Sequence, residues 1–335
     1  MKLYRLGRVG WRESQSFYHV LAERGEEAVV LCHPDSPHLC LGFHDDWEQE
    51  VDEAACRRLG LGLIRREAGG GLVLLDERQA YFQVIWHRRN PKLPRRREAG
   101  FRKVLQAPLQ VLAKLGVPGE LVAPADLAVK GRKISGNGAG DIGESAVYIG
   151  NLLCDFDRQM MVEALKMPDA VFKKRVAKAM EERLVTFREL GVCAAVEEVE
   201  ALLAEAFQDT LGALEEGVLT PELREAARRR GEELAAREFL ELPGRRYPFR
   251  QIKIQEGLFL RHYSCSWGGT LRLQLRRGKP EKLVFGGLPG CSRTQEQKLA
   301  AQLGQEGIAS LAAWQGILPE ACRRELKTLW AADWP

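Results

Sequence analysis

The sequence lacks several features that would decide its class at once. No window of about 20 residues is apolar enough to span a bilayer, and no apolar run of signal-peptide length opens the chain. Its 8 cysteines among 335 residues are too few for a disulfide scaffold, and they form no Cys-x-x-Cys pair. Charge of neither sign dominates, with 50 Lys and Arg against 46 Asp and Glu. We therefore expect a globular cytoplasmic protein with reduced thiols and no membrane partner.

Length and pattern predict two domains. A chain of 335 residues accommodates about two domains of roughly 150 residues each. Mixed helical and strand patterns extend to Leu242-Pro243-Gly244, after which short strands of period two follow. We therefore expect a larger domain over residues 1–243 and a smaller one over 244–335. Within the larger one, the periodicity predicts amphipathic helices over 158–190 and 196–217.

The first informative stretch is an arginine pair that leads to three consecutive glycines. Arg65 and Arg66 end a predicted strand, and Gly69, Gly70 and Gly71 precede the next one. Glycine loses more backbone freedom on folding than any other residue, so such a run indicates a close approach to the backbone or a positive φ. Guanidinium groups beside it suit a carboxylate or a phosphate. A glycine-rich hairpin with two solvated arginines is an equally good interpretation of this stretch alone.

Two further stretches contain residues suited to chemistry on anions. Lys133 lies in a short strand between glycine turns, and the glycines at 136, 138 and 140 could present N–H groups to an anion. The strand that starts near Ala146 ends in acidic residues, Asp155 and Asp157. Taken singly, a hairpin with exposed cations and a core strand with an acidic turn are the simpler interpretations.

Together the three stretches resemble, in order and spacing, the lipoate–protein ligase A family of the biotin/lipoate ligase superfamily. Its motifs are R-R-x-S-G-G-G-x-V-x-H-D, G-x-K-I-S-G and H-G-T-L-L-x-D-x-D, and the resemblance covers residues 1–215. The matching positions are Arg65, Arg66, Gly69, Gly70, Gly71, Val73 and Asp76, then Gly131, Lys133, Ile134, Ser135 and Gly136, then Gly150, Leu152, Leu153, Asp155 and Asp157.

The resemblance implies a fold and an activity. The fold would be α+β, with a mixed or antiparallel sheet flanked by helices as in class II synthetases and biotin–lipoate ligase catalytic domains, plus a small α+β C-terminal domain. The activity would be ATP-dependent: lipoate or octanoate is converted to an acyl-AMP, and the acyl group is then transferred to a lysine of a lipoyl-domain or glycine cleavage H-like acceptor protein. ATP with Mg²⁺ and lipoate as substrate are therefore implied.

The resemblance also assigns roles to residues. Lys133 would be the catalytic charge near the carboxylate and the α-phosphate, with Arg65 and Arg66 gripping the anionic parts of the acyl-adenylate. The glycines 69–71 would pack against that adenylate. The remaining implied binding residues are Asp76, Ser135, Gly136, Asn137 and Gly150, and the candidate magnesium ligands are Asp76 and Asp157.

The chain departs from the family motifs at several positions. Ala68 stands where the family has Ser, and Leu75 and Ile149 stand where it has His. Residues 137–140, Asn-Gly-Ala-Gly, replace the common S-A-Q after the lysine motif. These changes indicate a divergent branch of the family with altered substrate positioning.

Two other functions remain open. An octanoyltransferase or amidotransferase of the same superfamily would need no ATP and would form a thioester on a cysteine, for which Cys154 is the cysteine closest to the motifs. A non-catalytic binder of nucleic acid or of a lipoyl domain would use the 8 cations between Arg88 and Lys103. Trp86 and Phe101 merely flank that cluster, so base stacking is poorly provided for and we expect no nucleic acid.

Overall fold

The computed structural model describes residues 1–333 and divides the chain into two compact units. The first comprises residues 1–166 and 181–246, and the second comprises 167–180 and 247–335. The second unit therefore contains a segment from the middle of the chain, which a boundary drawn at a single point of the sequence does not include. No helix within the described range has the length and apolar character needed to cross a membrane.

The first unit is built on a mixed sheet of six strands in the order β10-β11-β6-β2-β1-β12. β1 runs parallel to β2, whereas β2, β6, β11 and β10 pair antiparallel in turn. The strands are β1 (Lys2–Val9), β2 (Ala28–Pro34), β6 (Gln79–His87), β10 (Asn137–Ile142), β11 (Ser145–Leu153) and β12 (Glu215–Glu216).

Two three-stranded sheets complete the first unit. One has the order β4-β3-β5 and carries the triple glycine between β4 and β5, and the other has the order β7-β8-β9 and carries Lys133. Their strands are β3 (His38–Leu41), β4 (Gly62–Arg65), β5 (Val73–Leu75), β7 (Gly119–Val122), β8 (Asp126–Val129) and β9 (Arg132–Ser135).

The helices of the first unit are α1 (Glu13–Glu23), α2 (Trp47–Glu50), α3 (Glu53–Leu59), α4 (Arg97–Val104), α5 (Gln106–Lys114), α6 (Arg158–Ala164), α8 (Val196–Leu211), α9 (Pro221–Ala235) and α10 (Arg237–Leu240). Of these, α1 and α8 cover opposite faces of the six-stranded sheet. Because successive strand residues point to opposite faces, Leu31 and Phe82 pack with Phe207 of α8, while Val30 and Ile85 pack with Phe17 of α1.

The second unit is an antiparallel meander with helices. Its strands follow chain order: β13 (Arg250–Gln255), β14 (Leu258–Ser264), β15 (Thr270–Arg276) and β16 (Lys279–Gly286). α11 (Arg293–Glu306) packs Leu299 and Leu303 against Leu271 and Leu273 of β15, and α12 (Glu320–Asp333) ends the described chain. α7 (Ala170–Arg183) begins in the segment that belongs to this unit.

This architecture confirms the expected fold class, a mixed sheet flanked by helices. The predicted helix over 158–190 is wrong in its length, because it is divided into α6 and α7. Pro168 cannot donate a backbone hydrogen bond, and Asp169 accepts one from the Phe172 N–H, so a new helix starts there. The helix predicted over 196–217 ends at Leu211 instead, where Gly212 adopts a positive φ.

Candidate functional site

The triple-glycine loop, residues 67–71, is held between two other segments of the first unit. On one side the Phe43 N–H donates to the Ala68 carbonyl at 3.1 Å, and on the other the Gly69 N–H donates to the Ala139 carbonyl at 3.1 Å. Gly70 has a φ of +104°, a conformation that side-chain-bearing residues rarely adopt. The loop is therefore hydrogen-bonded to a neighbouring segment on each side, unlike a solvated hairpin.

Glycines on the neighbouring segments make this close packing possible. A Cβ on Gly42 would lie 1.9 Å from the Gly70 carbonyl oxygen, and one on Gly138 would lie 2.8 Å from the Gly69 carbonyl oxygen. A Cβ on Gly140 would lie 2.8 Å from the Cα of Ala68. In this chain, side chains at 138 and 140 would therefore displace the loop.

Arg66 is buried and supports the loop from inside. Its Nη2 donates to the carbonyls of Gly69 at 3.1 Å and Gly71 at 2.9 Å, and its Nη1 donates to the Cys40 carbonyl at 3.0 Å. A guanidinium has five N–H donors in a rigid fork, so one side chain can fix several carbonyls of an irregular segment. In this geometry Arg66 orders the loop.

Arg65 lies fully buried and points to a different set of backbone carbonyls. Its Nη1 donates to Asp45 at 2.8 Å and Phe43 at 3.0 Å, and its Nε donates to Leu240 at 3.1 Å. This position differs from the contact with an acyl-adenylate that the resemblance implies, because the donors are already engaged by main-chain oxygens. Arg65 ties the loop after β3 to the end of α10.

His19, which the motifs did not indicate, positions the start of the loop. The Glu67 N–H donates to its Nε2 at 3.1 Å, and its Nδ1 lies 2.6 Å from the Gln15 carbonyl, so the ring is neutral with its proton on Nδ1. Complete burial lowers the pKa of His19 from 6.5 to about 3. The sequence offered no signal for this role beyond the presence of a histidine.

The first prediction concerns acid stability and His19. Because folding lowers the pKa of His19, this histidine is protonated below about pH 6.5 in the unfolded chain but only below about pH 3 in the folded one. The free energy of unfolding should therefore fall as the pH drops through that window, by up to about 1.4 kcal/mol per pH unit for one proton. Chemical denaturation of the wild type and of His19→Gln at several pH values measures it, and the difference between the two curves should carry this slope.

His33 provides the matched control of opposite sign. Its Nδ1 lies 2.9 Å from Glu200 Oε1, and that hydrogen bond raises its pKa above 6.5 despite burial. Its contribution is present below the unfolded pKa and is lost as the pH rises through the folded value. Parallel curves for the wild type and His19→Gln would contradict the His19 assignment, and a His33→Gln difference of the same sign as that for His19→Gln would contradict the His33 assignment.

Lys133 is fixed by a carboxylate that the motifs did not identify. Its Nζ lies 3.0 Å from Asp126 Oδ1, with the lysine side chain 19% and the aspartate side chain 4% exposed. Asp126 begins β8, and a bulge between Leu127 and Ala128 shifts the pairing of β8 with β9. Asp126 therefore holds the Lys133 ammonium at a defined position, where it is partly exposed to solvent.

The backbone after Lys133 is held by amide side chains. The Gly136 N–H donates to Asn151 Oδ1 at 2.9 Å, and Asn137 Nδ2 donates to the Ala125 carbonyl at 2.6 Å and to Ser135 Oγ at 3.0 Å. A Cβ on Gly150 would lie 1.9 Å from Asn137 Oδ1, so glycine there lets the two strands approach. Ser135, Gly136, Asn137 and Gly150 thus come together around Lys133.

Asp76 is linked to the residues around Lys133 through a chain of hydrogen bonds. Asn151 Nδ2 donates to Gln79 Oε1 at 2.6 Å, and Gln79 Nε2 donates to Asp76 Oδ1 at 3.1 Å. Arg78 forms an ion pair with Asp76 at 2.5 Å, and burial raises the pKa of the Asp76 carboxyl. Asp76 is fully buried, and both of its oxygens accept hydrogen bonds from Arg78 and Gln79.

The two carboxylates suggested for magnesium do not form a metal site in this geometry. Asp157 caps α6 by accepting the Met160 N–H at 2.8 Å. Both oxygens of Asp76 already accept hydrogen bonds from Arg78 and Gln79. Within residues 1–333 no group of three or more His, Cys, Asp or Glu side chains is arranged to hold a metal ion. The donor sets at these two positions therefore do not fit a protein-bound Mg²⁺.

A cleft of about 510 Å³ opens beside the triple-glycine loop. Its walls include Phe43, Glu67 and Gly69 on one side and Arg97 and Gly140 on the other. The cleft places solvent-accessible volume against the backbone of Gly69 and Gly140, among the side chains of Phe43, Glu67 and Arg97.

Cys154, the candidate nucleophile of the transferase alternative, is a core residue. It follows β11 directly, is 8% exposed and packs in the cluster that contains Val185 and Phe187. Burial raises the pKa of its thiol to about 12, the opposite of what a reactive thiolate requires. Among the described cysteines, Cys193 is the exposed one.

Comparison with known proteins identifies similar chains. The octanoyltransferase LipM of Kyrpidia tusciae is 30% identical over 239 residues, which cover 60% of this chain and 87% of that protein. The lipoate-protein ligase A subunit 1 of Thermoplasma acidophilum is 27% identical over 198 residues, covering 56% and 73%.

Solved structures share the fold. The Thermoplasma acidophilum chain from a bi-partite lipoate protein ligase and its E2 lipoyl domain superposes with a TM-score of 0.64 at 22% identity, covering 73% of this chain and 98% of that one. A lipoate-protein ligase A bound with ATP superposes with a TM-score of 0.59 at 21% identity, covering 72% and 98%.

The family model of the lipoyl protein ligase A/B catalytic domain matches residues 11–208, which contain the triple-glycine loop, Lys133 and the strand that ends at Leu153. The match covers more than half of the chain and spans every segment of the site just described. The chain belongs to this family of lipoate ligases and octanoyltransferases, and it is an enzyme of that class.

Proposed function

We propose that the chain is an ATP-dependent acyl–protein ligase. It would activate lipoate or octanoate as an acyl-AMP and transfer the acyl group to a lysine of a lipoyl-domain or glycine cleavage H-like acceptor. The first unit would be the catalytic domain, and the second would be accessory. The observation that carries the proposal is the fixed ammonium of Lys133, held 3.0 Å from Asp126 beside the hydrogen-bonded Gly136 backbone.

A fixed positive charge suits both steps of this reaction. In the first, an acyl carboxylate oxygen attacks the α-phosphorus of ATP, the bond to the bridging oxygen breaks, and pyrophosphate leaves. In the second, the neutral ε-amine of the acceptor attacks the acyl carbonyl, AMP leaves with the electron pair of the C–O bond, and the amine loses its proton. Each step concentrates negative charge on oxygens, which a pre-positioned cation stabilises without reorganising solvent.

The other proposed residues act on the geometry of the site. The loop at Gly69, Gly70 and Gly71 would present backbone to the acyl-adenylate, with Arg66 fixing its carbonyls from below. Asp126 would position Lys133. Ser135, Gly136, Asn137 and Gly150 would shape the backbone next to the ammonium, and Asp76 would keep Gln79 and Asn151 in place.

The second candidate is an octanoyltransferase, and the names of the relatives favour it. LipM octanoyltransferases from Kyrpidia tusciae and Geobacillus kaustophilus are among the similar proteins, as is the lipoate-protein ligase LplJ of Bacillus subtilis. What supports the ligase over the transferase is the burial of Cys154, whose thiol is shielded and weakly acidic.

One experiment separates the two candidates. Pyrophosphate release from ATP is measured with lipoate, octanoate and biotin in turn, and octanoyl transfer from an acyl carrier thioester is measured without ATP. A ligase releases pyrophosphate with lipoate or octanoate and leaves the thioester untouched. Transfer from the thioester in the absence of ATP would replace the proposal with the transferase.

Cys154→Ser tests the same choice on the protein itself. We expect the variant to keep its acyl-transfer rate, with a modest loss of stability because a hydroxyl enters an apolar cluster. The wild type should form no hydroxylamine-sensitive acyl adduct when ATP is absent. Cys193→Ser serves as the exposed control. Complete loss of turnover in Cys154→Ser, with a thioester on the wild type, would assign the nucleophile to Cys154.

A further inference from the structure

The sheet of the second unit carries basic side chains in register on one face. Arg250 pairs with His262, and His262 pairs with Arg272, so the three residues stand side by side on β13, β14 and β15. All three are buried. The two guanidinium groups flank His262 across the strands, and burial removes the water that would screen their charge. Such an arrangement costs stability.

A carboxylate from the 167–180 segment neutralises part of this charge. Asp169 Oδ2 accepts from Arg272 Nη2 at 2.7 Å and lies 2.9 Å from His262 Nε2, while its Oδ1 accepts the Phe172 N–H. Burial opposes the ionisation of Asp169, but these hydrogen bonds outweigh it and lower the pKa of Asp169 to about 2. One ionised carboxylate is thus shared by two basic groups.

Arg175 adds another buried guanidinium to the same region. It lies on α7, where its Nη1 and Nη2 are buried and have no hydrogen-bond partner among the described residues. The Nε of Arg272 is likewise buried without a partner in the described part of the chain. Burial, together with the neighbouring Arg272, lowers the pKa of Arg175. Guanidinium groups are almost always satisfied when buried, because an unpaired buried charge is strongly unfavourable.

A cleft in the second unit is lined in part by Arg272. It has a volume of about 720 Å³, and its lining includes Arg272, Val171 one helical turn before Arg175, and the cations Lys282 and Arg293. The two carboxylates on its wall are already engaged: Glu281 accepts from Arg276 at 2.9 Å, and Glu296 accepts the Leu288 N–H at 2.7 Å. The positive groups therefore outnumber the acids that could still serve them.

We propose that Arg175 and Arg272 form a binding site for a phosphate group in the second unit, reached through this cleft. Three buried nitrogens have no partner among the described residues, Nη1 and Nη2 of Arg175 and Nε of Arg272, and such donors suit the several oxygens and the double charge of a phosphate. The ligand is inorganic phosphate or the phosphate of a small ester, which share this chemistry. The site involves none of the residues assigned to acyl transfer, so it stands independently of the proposed function.

The test measures phosphate binding to the full chain by calorimetry and by thermal unfolding, at constant ionic strength in phosphate-free buffer. Phosphate should bind and raise the Tm, and Arg175→Met should weaken its affinity by about tenfold or more. Arg272→Lys, which keeps the charge but loses the fork, should also weaken it. Lys253→Met, which removes a cation of β13 that pairs with Glu256 away from the cleft lining, is the matched control and should bind as the wild type does.

A second readout separates a ligand site from a structural one. Without phosphate, Arg175→Met should have a higher Tm than the wild type, because the substitution removes a buried charge that lacks a partner. The proposal is overturned if phosphate does not bind, if Arg175→Met binds it normally, or if acetate binds equally well. Loss of binding in Lys133→Ala would place the phosphate in the first unit and would also overturn it. Phosphate and glycerol 3-phosphate, which takes no part in the proposed acyl transfer, are separate probes that distinguish the free anion from the ester.

Discussion

Replacement of Lys133 by alanine is expected to slow acyl-AMP formation by about 10²–10³-fold, the effect of removing one preorganised charge from a reaction centre. The ammonium is held 3.0 Å from Asp126 and is partly open, so its charge is available to a substrate oxygen. Pyrophosphate release with saturating lipoate and ATP measures the rate. The loss should appear in kcat, because the charge matters most when negative charge develops on the reacting oxygens.

The substitution also leaves the buried Asp126 carboxylate without its lysine, so a loss of stability must be separated from a loss of catalysis. Lys133→Ala combined with Asp126→Asn removes both charges and should regain stability but not activity. Lys114→Ala, which breaks a surface ion pair with Glu205, is the control and should change neither. Wild-type kcat in Lys133→Ala, or recovery of activity in the double variant, would remove Lys133 from the reaction.

Gly138→Ala is expected to reduce kcat/KM by about 10²-fold without touching any reacting group. Its new Cβ would lie 2.8 Å from the Gly69 carbonyl oxygen, and the φ of Gly138 suits alanine, so steric displacement of the loop is the main effect. A shift of about 1 Å in a positioning segment is enough for a loss of this size. Steady-state kinetics with lipoate and ATP, together with the Tm, measure it.

Gly10→Ala is the matched control for this prediction. A Cβ at Gly10 would meet only the Glu13 side chain, at 3.5 Å or more, and Gly10 lies outside the triple-glycine loop and its neighbours. We expect near wild-type kinetics for Gly10→Ala and a large loss for Gly138→Ala, with both variants folded. Equal kinetics in the two variants would mean that the close packing of the Gly138 segment against the triple-glycine loop has no part in substrate positioning.

The triple glycine and Lys133 could be singled out from the sequence for a local reason. A run of three glycines and a lysine between glycine turns are costly or unusual choices whose meaning depends on neighbours in the chain. The position of Gly70 at a positive φ agrees with that reasoning. The expectation that the backbone is approached closely also holds, although in the structure the approaching groups are Gly42, Gly138 and Gly140 of the same chain.

The partners of these residues could not be predicted, because tertiary geometry selects them. Asp126 reaches Lys133 through a bulged pairing of β8 with β9, and a bulge changes which side chains share a face. The resemblance assigned Arg65 and Arg66 the same role, contact with the acyl-adenylate. In the structure Arg65 donates to the carbonyls of Phe43, Asp45 and Leu240. Arg66 instead donates to a carbonyl of the triple-glycine loop. Nothing in the pair Arg65-Arg66 indicates this division.

The segment 167–180 has a consequence for how this protein can be divided. A chain truncated after residue 246 would retain α7 but lose β14, whose His262 contacts the ring of Phe172. Phe172, Val176 and Met180, all buried in the intact chain, would then face water as an apolar stripe at helical spacing. Such a stripe promotes self-association, so a soluble catalytic fragment requires excision of residues 167–180 together with the C-terminal truncation. Modular exchange of the second unit between relatives would likewise need two junctions rather than one.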